Sequence, residues 1–322
     1  MRKLKTCFLV FLSALLFLTG CGVGPSEKTE EKTISVIAIL KARNSLHWHF
    51  VNEGLNQTAK KYNMNLNVLW PEREVDVDTQ IRMLQDAILE KPDVIIWAPD
   101  DSEHAGEYAE KIREAGIQLI YVDENAQQQS DVPYVGSDNY RAGELAAENM
   151  KENLPEEGRV AFIGGSQEQQ VHYLRGHGFM DTIENESAFR VSVIEEVPDC
   201  SISGGRAAMQ RILESYPDIK GVFCASALLC MGAQEACQNA DRKDIYLVGM
   251  DTQSDVLTAL KNNCIHAIIS QSGYEMGCKA IELADQKQHG EEIPIMNYVK
   301  NEIISNENVN DYLDAFVMEG RE

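Results

Sequence analysis

Residues 93–122 read DVIIWAPDDSEHAGEYAEKIREAGIQLIYV. Two β-branched apolar runs, Asp93–Ala98 and Gln118–Val122, flank Ala105–Ala115, where apolar residues recur at helical spacing. Strands that are apolar throughout are covered on both faces, and the helix between them is the crossover that parallel strands need. The stretch therefore reads as a strand–helix–strand unit.

The same alternation extends outward in both directions. Towards the N-terminus lie strand candidates Ile34–Leu40 and Leu66–Trp70, with helical patterns over His49–Tyr62 and Asp78–Glu90. Tyr134–Gly136 closes this first set. A second set comprises Arg159–Ile163, Val191–Val197, Gly221–Ala225, Ile245–Gly249 and Ala267–Ser270, with helical patterns over Tyr140–Asn153, Gly205–Ser215 and Ser254–Asn262. Pro71, Pro92, Pro99, Pro155, Pro198 and Pro217 fall in or beside the connections, as breakers should. The expected fold class is α/β, with two successive doubly wound parallel-sheet units. Such sheets bind ligands at the carboxyl ends of their strands, so the residues just after each strand come first as site candidates.

Composition sets the outer limits. A formal charge of −22 argues against nucleic acid and against a basic membrane-binding face. A hydrophobic content of 44% is enough to build cores. The first residues carry a separate message. Arg2, Lys3 and Lys5 precede an apolar run, Phe8–Leu18, too short to span a bilayer comfortably, which ends in Leu18-Thr19-Gly20-Cys21. A small residue before a cysteine at the end of such a run resembles the lipobox of bacterial lipoproteins. That resemblance implies a signal peptide over residues 1–20, an acylated Cys21 as the mature N-terminus, and an extracytoplasmic protein anchored to the cell membrane. Two or three acyl chains anchor firmly. Residues 21–33, rich in Gly, Pro, Ser, Glu and Lys, read as a flexible tether.

Chemistry-bearing motifs are scarce. There is no nucleophile elbow, phosphate-binding loop or HExxH. Gly164-Gly165-Ser166 follows a strand but lacks the dinucleotide fingerprint, so a plain strand-to-helix turn is expected. His47 and His49 could form a zinc pair only if extended, and they sit where a helix should start; no metal and no cofactor is expected. Cys200, Cys224, Cys230, Cys237, Cys264 and Cys278 contain no CxxC pair, and free thiols are expected of them.

With these residues in place the chain resembles the type I periplasmic sugar-binding proteins, the ribose- and galactose-binding group that feeds ABC transporters. The residues that carry the likeness run from one end of the chain to the other: the first strand and Lys41, then Ser45-Leu46-His47-Trp48 and Gly54, Val122-Asp123, Gly136-Ser137-Asp138-Asn139, Arg175-Gly-His-Gly-Phe179, Gly249-Met-Asp251, Ser270-Gln271 and the tail Ile304–Val309. The resemblance implies two Rossmann-like lobes, residues 34–137 with 272–299 and residues 138–271 with 300–322. Three crossings would join them, near Ser137–Asp138, Gln271–Ser272 and Val299–Lys300, and the lobes would close on a ligand as on a hinge.

It also implies site residues. Sugar hydroxyls suit carboxylates and amides, which Asp123, Asp251 and Gln271 would supply, and sugar C–H faces suit an aromatic ring such as Trp48. An Asp after a strand is also often a helix cap, and a Trp at a helix start is often core. At other family positions this chain carries its own residues: Lys41, His47, Glu124, Tyr173 in the place of a cleft arginine, Cys200 in the place of a stacking aromatic, and Ser226 in the place of an asparagine. These departures leave the sugar unnamed. Three functions follow as alternatives: an ABC-importer receptor for a carbohydrate or similar polyol, a ligand-sensing partner of a membrane histidine kinase or chemoreceptor, or an enzyme using Asp123 and Asp251 as a carboxylate pair. Nothing else in the chain supports catalysis, and no enzyme activity is expected.

Overall fold

A computed structural model describes residues 33–128, 131–154, 157–185 and 189–318, with side chains to 313. The leader, Cys21, the rest of the tether up to Lys32, and Pro155 lie outside the described residues. Among the described residues no helix is long and apolar enough to cross a membrane.

From the N-terminal side, β1 (Ser35–Ile39), α1 (Leu46–Lys61), β2 (Asn65–Leu69), α2 (Val77–Glu90), β3 (Val94–Trp97), α3 (Ala105–Glu114), β4 (Gln118–Val122) and β5 (Tyr134–Ser137) follow one another. The chain then runs through α4 (Asn139–Asn153), β6 (Gly158–Gly164), α5 (Gln170–Glu184), β7 (Phe189–Glu196), α6 (Ile202–Ser215), β8 (Ile219–Cys224), α7 (Ala227–Asn239), β9 (Tyr246–Met250), α8 (Ser254–Lys261) and β10 (Ala267–Ile269). Last come α9 (Gly273–Gln288), β11 (Met296–Val299), β12 (Ile303–Ile304) and α10 (Val309–Met318).

These strands form two sheets, ordered β11-β5-β4-β3-β1-β2 and β12-β10-β9-β8-β6-β7. Pairing is parallel except that β12 runs antiparallel to β10, with Ile268 opposite Ile304. Each sheet is covered on both faces, because alternate residues of its central strands feed different cores. Val36, Ala38 and Ile96 pack on one face of the first sheet, while Ile37, Ile39 and Ile95 pack on the other. In the second sheet Ala161 and Ile163 share one core, and Val160 and Phe162 the other.

The strand expectations for the central strands hold to within one or two residues, and Gln118–Val122 is met at both ends. Helix starts are less well placed: α1 begins at Leu46 rather than His49, and α6 at Ile202 rather than Gly205. The strand pattern alone reads as two successive units, whereas the chain returns to the first sheet. After the second sheet, α9 packs against α1, and β11 joins β5 with Met296 opposite Tyr134. The return depends on small residues. A Cβ on Gly54 would lie 2.1 Å from the carbonyl of Tyr274, and one on Gly277 2.2 Å from that of Val51, so only glycine lets these helices touch. The chain thus passes between sheets three times, after β5, after β10 and after β11.

The six cysteines among the described residues are all free thiols. Cys200, Cys224, Cys230 and Cys237 are buried, Cys278 is half-buried and Cys264 is exposed.

Candidate functional site

The carboxyl ends of both sheets face one cavity of about 40 Å³. From the first sheet it is lined by Lys41 and Ser45 after β1, His47 and Trp48 in the first turn of α1, Glu74 after β2, and Asp123 after β4. From the second come His172 and Arg175 of α5, Cys200 after β7, Ser226 after β8, Asp251 and Gln253 after β9, and Gln271 after β10. Eight of the ten candidates therefore meet at one place: Lys41, His47, Trp48, Asp123, Cys200, Ser226, Asp251 and Gln271.

Three lining residues hold left-handed backbone conformations: Asp123 at φ 63°, Cys200 at 44° and Asp251 at 72°. Aspartate tolerates this region better than most residues, cysteine less well. Each sits directly after a strand or its first turn, where the reversal of the chain aims the side chain into the cavity. Unfavourable backbone at convergent residues of a cleft is a mark of functional constraint.

The first-sheet wall is built from ion pairs. Asp123 Oδ1 lies 3.0 Å from His47 Nε2. Burial opposes charge on His47, but the carboxylate of Asp123 outweighs it and raises the imidazole above its ordinary value of 6.5. Burial likewise opposes ionisation of Asp123, yet His47, Lys41 and Arg175 hold its carboxyl well below the usual range. Behind them Lys41 Nζ pairs with Glu124 Oε2 at 3.0 Å. Burial disfavours both charges; for Lys41 the carboxylates of Glu124, Glu74, Asp123 and Asp100 prevail and hold the ammonium charged. Trp48 presents its Nε1–H to Glu74 Oε1 at 3.0 Å and meets His47 edge to face.

The second-sheet wall is a chain of hydrogen bonds. Arg175 donates from Nε to Asn139 Oδ1 at 2.8 Å, from Nη1 to the Ala225 carbonyl at 2.8 Å, and from Nη2 to Gln271 Oε1 at 2.9 Å. Ser137 also donates to Gln271 Oε1, at 3.2 Å. With its oxygen so engaged, Gln271 turns its amide N–H to Asp251 Oδ1, while Asp251 Oδ2 accepts the backbone N–H of Ala227 at 2.9 Å. Burial, with Arg175 and Lys41 nearby, lowers His172 well below its ordinary pKa and keeps the ring neutral.

Two expectations are corrected. Tyr173 does not enter the cavity. It is 36% exposed and its ring lies 4.1 Å from that of His177. On a helix, 172 and 175 share a face and 173 is turned about 100° away, so Arg175 and His172 take the interior position. Glu124 is fully buried behind Lys41 and does not line the cavity; its role is to neutralise that ammonium. Ser226 lines the cavity and at the same time caps α7, accepting from Leu229 N. His47 and His49 diverge, His49 Nε2 lying 2.8 Å from the Arg43 carbonyl at the surface. Among the lining residues that the site candidates do not include are His172, Arg175, Glu74 and Gln253. The first was within reach, three residues before Arg175 on one helix; Glu74 sits in an irregular loop with no local signal.

Comparison with known proteins agrees with this architecture. The family model described as a periplasmic binding protein domain matches residues 36–292. The ribose import binding protein of Bacillus subtilis is 25% identical over 295 residues, covering 90% of this chain and 95% of that protein. A glucose-galactose binding protein from Geobacillus stearothermophilus superposes with a TM-score of 0.80 at 26% identity, over 86% of this chain and 99% of that one. A carbohydrate transporter solute binding protein from Agrobacterium radiobacter, solved with D-arabinose, shares the fold at a TM-score of 0.83 and 22% identity, over 87% and 97% of the two chains. Two parallel-dominated α/β sheets facing one polar cleft, with a family match across most of their length, place the chain in the periplasmic binding protein domain family.

Proposed function

We propose that the protein is an extracytoplasmic receptor that captures a monosaccharide or similar polyol between its lobes and delivers it to the permease of an ABC importer. The observation that carries this reading is the convergence, on one cavity, of a buried carboxylate from each sheet, Asp123 and Asp251, with Gln271, Lys41, His47 and Trp48. Carboxylates and amides held rigid by their own partners suit hydroxyl groups, and the face of an indole ring suits a sugar C–H face. The sugar names of the relatives support the same class.

The cavity of about 40 Å³ is far smaller than the roughly 300–1,000 Å³ of most ligand sites. Entry of a sugar therefore requires the lobes to part, with Ser137–Asp138, Gln271–Ser272 and Val299–Lys300 as the hinge. In the same reading Cys21 carries the lipid that keeps the receptor beside its permease.

The test is calorimetry with D-ribose, D-allose, D-apiose, D-arabinose, D-glucose and D-galactose, joined to native mass spectrometry of the purified protein. One sugar is expected to bind at one per chain, and small-angle scattering is expected to show a smaller radius of gyration with it. No binding across the panel and no co-purifying carbohydrate would overturn the reading.

A further inference from the structure

Glu74, His172 and Cys200 each offer a ligand atom, and these atoms all lie within 4.8 Å of one another. Glu74 follows β2 of the first sheet, whereas His172 and Cys200 belong to α5 and the loop after β7 of the second. We propose that these three residues bind a divalent zinc-class ion that clasps the two lobes across the cleft.

The geometry supports an ion. Cys200 Sγ lies 3.4 Å from His172 Nε2. Around a tetrahedral zinc, sulfur at about 2.3 Å and nitrogen at about 2.0–2.1 Å stand close to that distance apart. Trp48 Nε1–H holds one oxygen of Glu74 at 3.0 Å, which orients the carboxylate and leaves its other oxygen for the metal. Glu74 must draw in slightly to complete the set.

The surroundings fit as well. Both donors of the second lobe are at least nine-tenths buried, and His172 faces Cys200 through Nε2, which makes that nitrogen the ligand atom. The backbone approaches both donors at Gly165, where a Cβ would lie 2.5 Å from His172 Nε2 and 2.6 Å from Cys200 Sγ. A cavity of about 40 Å³ has room for an ion and a water in the fourth position. Thiolate, imidazole and carboxylate together select zinc-like ions over magnesium and calcium, which prefer oxygen alone. Because the donors come from opposite lobes, the ion stabilises the contracted cleft and opposes entry of a larger ligand.

The test uses metal-stripped full-chain protein carrying Cys264→Ser to remove the exposed thiol. Zn²⁺ is titrated against a chromophoric chelator, and Co²⁺ is followed by absorbance, with no sugar present. The expected result is one ion per chain, a thiolate-to-cobalt charge-transfer band, and no displacement by Mg²⁺ or Ca²⁺. Loss of a ligand should weaken zinc at least as much as loss of a supporting residue, about 10- to 100-fold or more, in Cys200→Ser, His172→Gln and Glu74→Gln. Absence of stoichiometric zinc uptake, or equal uptake by all three variants, overturns the proposal. Glu74→Gln, at the most exposed of the three positions, and the cobalt band of the parent decide the matter even if a variant in the second lobe fails to fold. Since the metal is titrated alone, a negative result here is independent of whether a sugar binds.

Discussion

Glu124 Oε2 lies 3.0 Å from Lys41 Nζ, and the same oxygen is 3.5 Å from the backbone N of Val171 at the start of α5, under the opposite sheet. Beside it, Gln170 N donates to Ser102 Oγ at 3.2 Å, so the N-terminus of α5 is held from the first lobe at two points. A carboxylate at a helix N-terminus is favoured by the unpaired N–H groups there. The Lys41–Glu124 pair therefore supports the first-lobe wall and engages the other lobe when the cleft is contracted.

Both members are essentially sealed from solvent, at 1% and 0% side-chain exposure. Removing one partner of such a pair typically costs about 3–5 kcal/mol, whereas replacing both with apolar groups is often neutral. Glu124→Gln should therefore lower stability to denaturant by that order. Lys41→Met combined with Glu124→Leu should recover most of the loss. Additive effects of the single and double changes would show that the two charges are not coupled.

Much of this arrangement was legible in the chain, for a physical reason. Buried parallel strands such as Val94–Trp97 must be apolar throughout, so the strands announce themselves, and their carboxyl ends mark where Lys41, Asp123, Asp251 and Gln271 must lie. Helices that pack by close approach are harder to read. α5 interrupts its buried Val171, Phe179 and Ile183 with buried His172, Arg175, Gly176 and Gly178, and α9 buries Gly273 and Gly277 against α1. Side-chain direction was the other gap: Tyr173 occupies the expected sequence position, but the helical turn sends Arg175 inward. Contacts between residues far apart in sequence, such as Glu74 with Trp48, leave no periodic trace.

The His47–Asp123 pair sets a pH dependence. His47 is raised above 6.5, so its contribution to stability is fully present below that value and is lost as pH rises through the raised folded value. Asp123 is depressed, so its contribution is present above the ordinary carboxylate range near 4 and is lost as pH falls. The pair should thus stabilise most between about pH 4 and 6.5. Thermal unfolding of the parent and His47→Gln across pH 4–9 tests this. The gap between them should narrow above neutrality; a gap that widens there would contradict the pairing.

Tyr173 and Arg175 should separate cleanly. Exposed side chains away from special features change stability by no more than about 0.5 kcal/mol, and Tyr173 touches His177 rather than the cavity. Tyr173→Ala should leave ligand affinity within about twofold. Arg175 is 3% exposed and donates three hydrogen bonds that join α4, Ala225 just after β8, and Gln271. Arg175→Ala should cost about 3 kcal/mol or more, because it strands buried acceptors. A strong loss of affinity in Tyr173→Ala would return that residue to the site.

Asp251→Asn is the most discriminating change in the cleft. Gln271 Oε1 receives both Arg175 Nη2 and Ser137 Oγ, which fixes the amide and forces its N–H towards Asp251 Oδ1. The other carboxylate oxygen accepts Ala227 N. Asparagine is nearly isosteric and tolerates the left-handed backbone, so shape and strain stay the same. Its single oxygen, however, serves only one of the two donors, and its NH2 must face the other. One buried donor is then opposed by a donor, at a cost of about 1–3 kcal/mol. Asp251→Asn should be destabilised by that amount and should also weaken ligand capture. Equal stability in denaturant would mean that Gln271 is free to turn over, and the bonded chain from Arg175 through Gln271 to Asp251 would not be the element that holds the carboxylate in place.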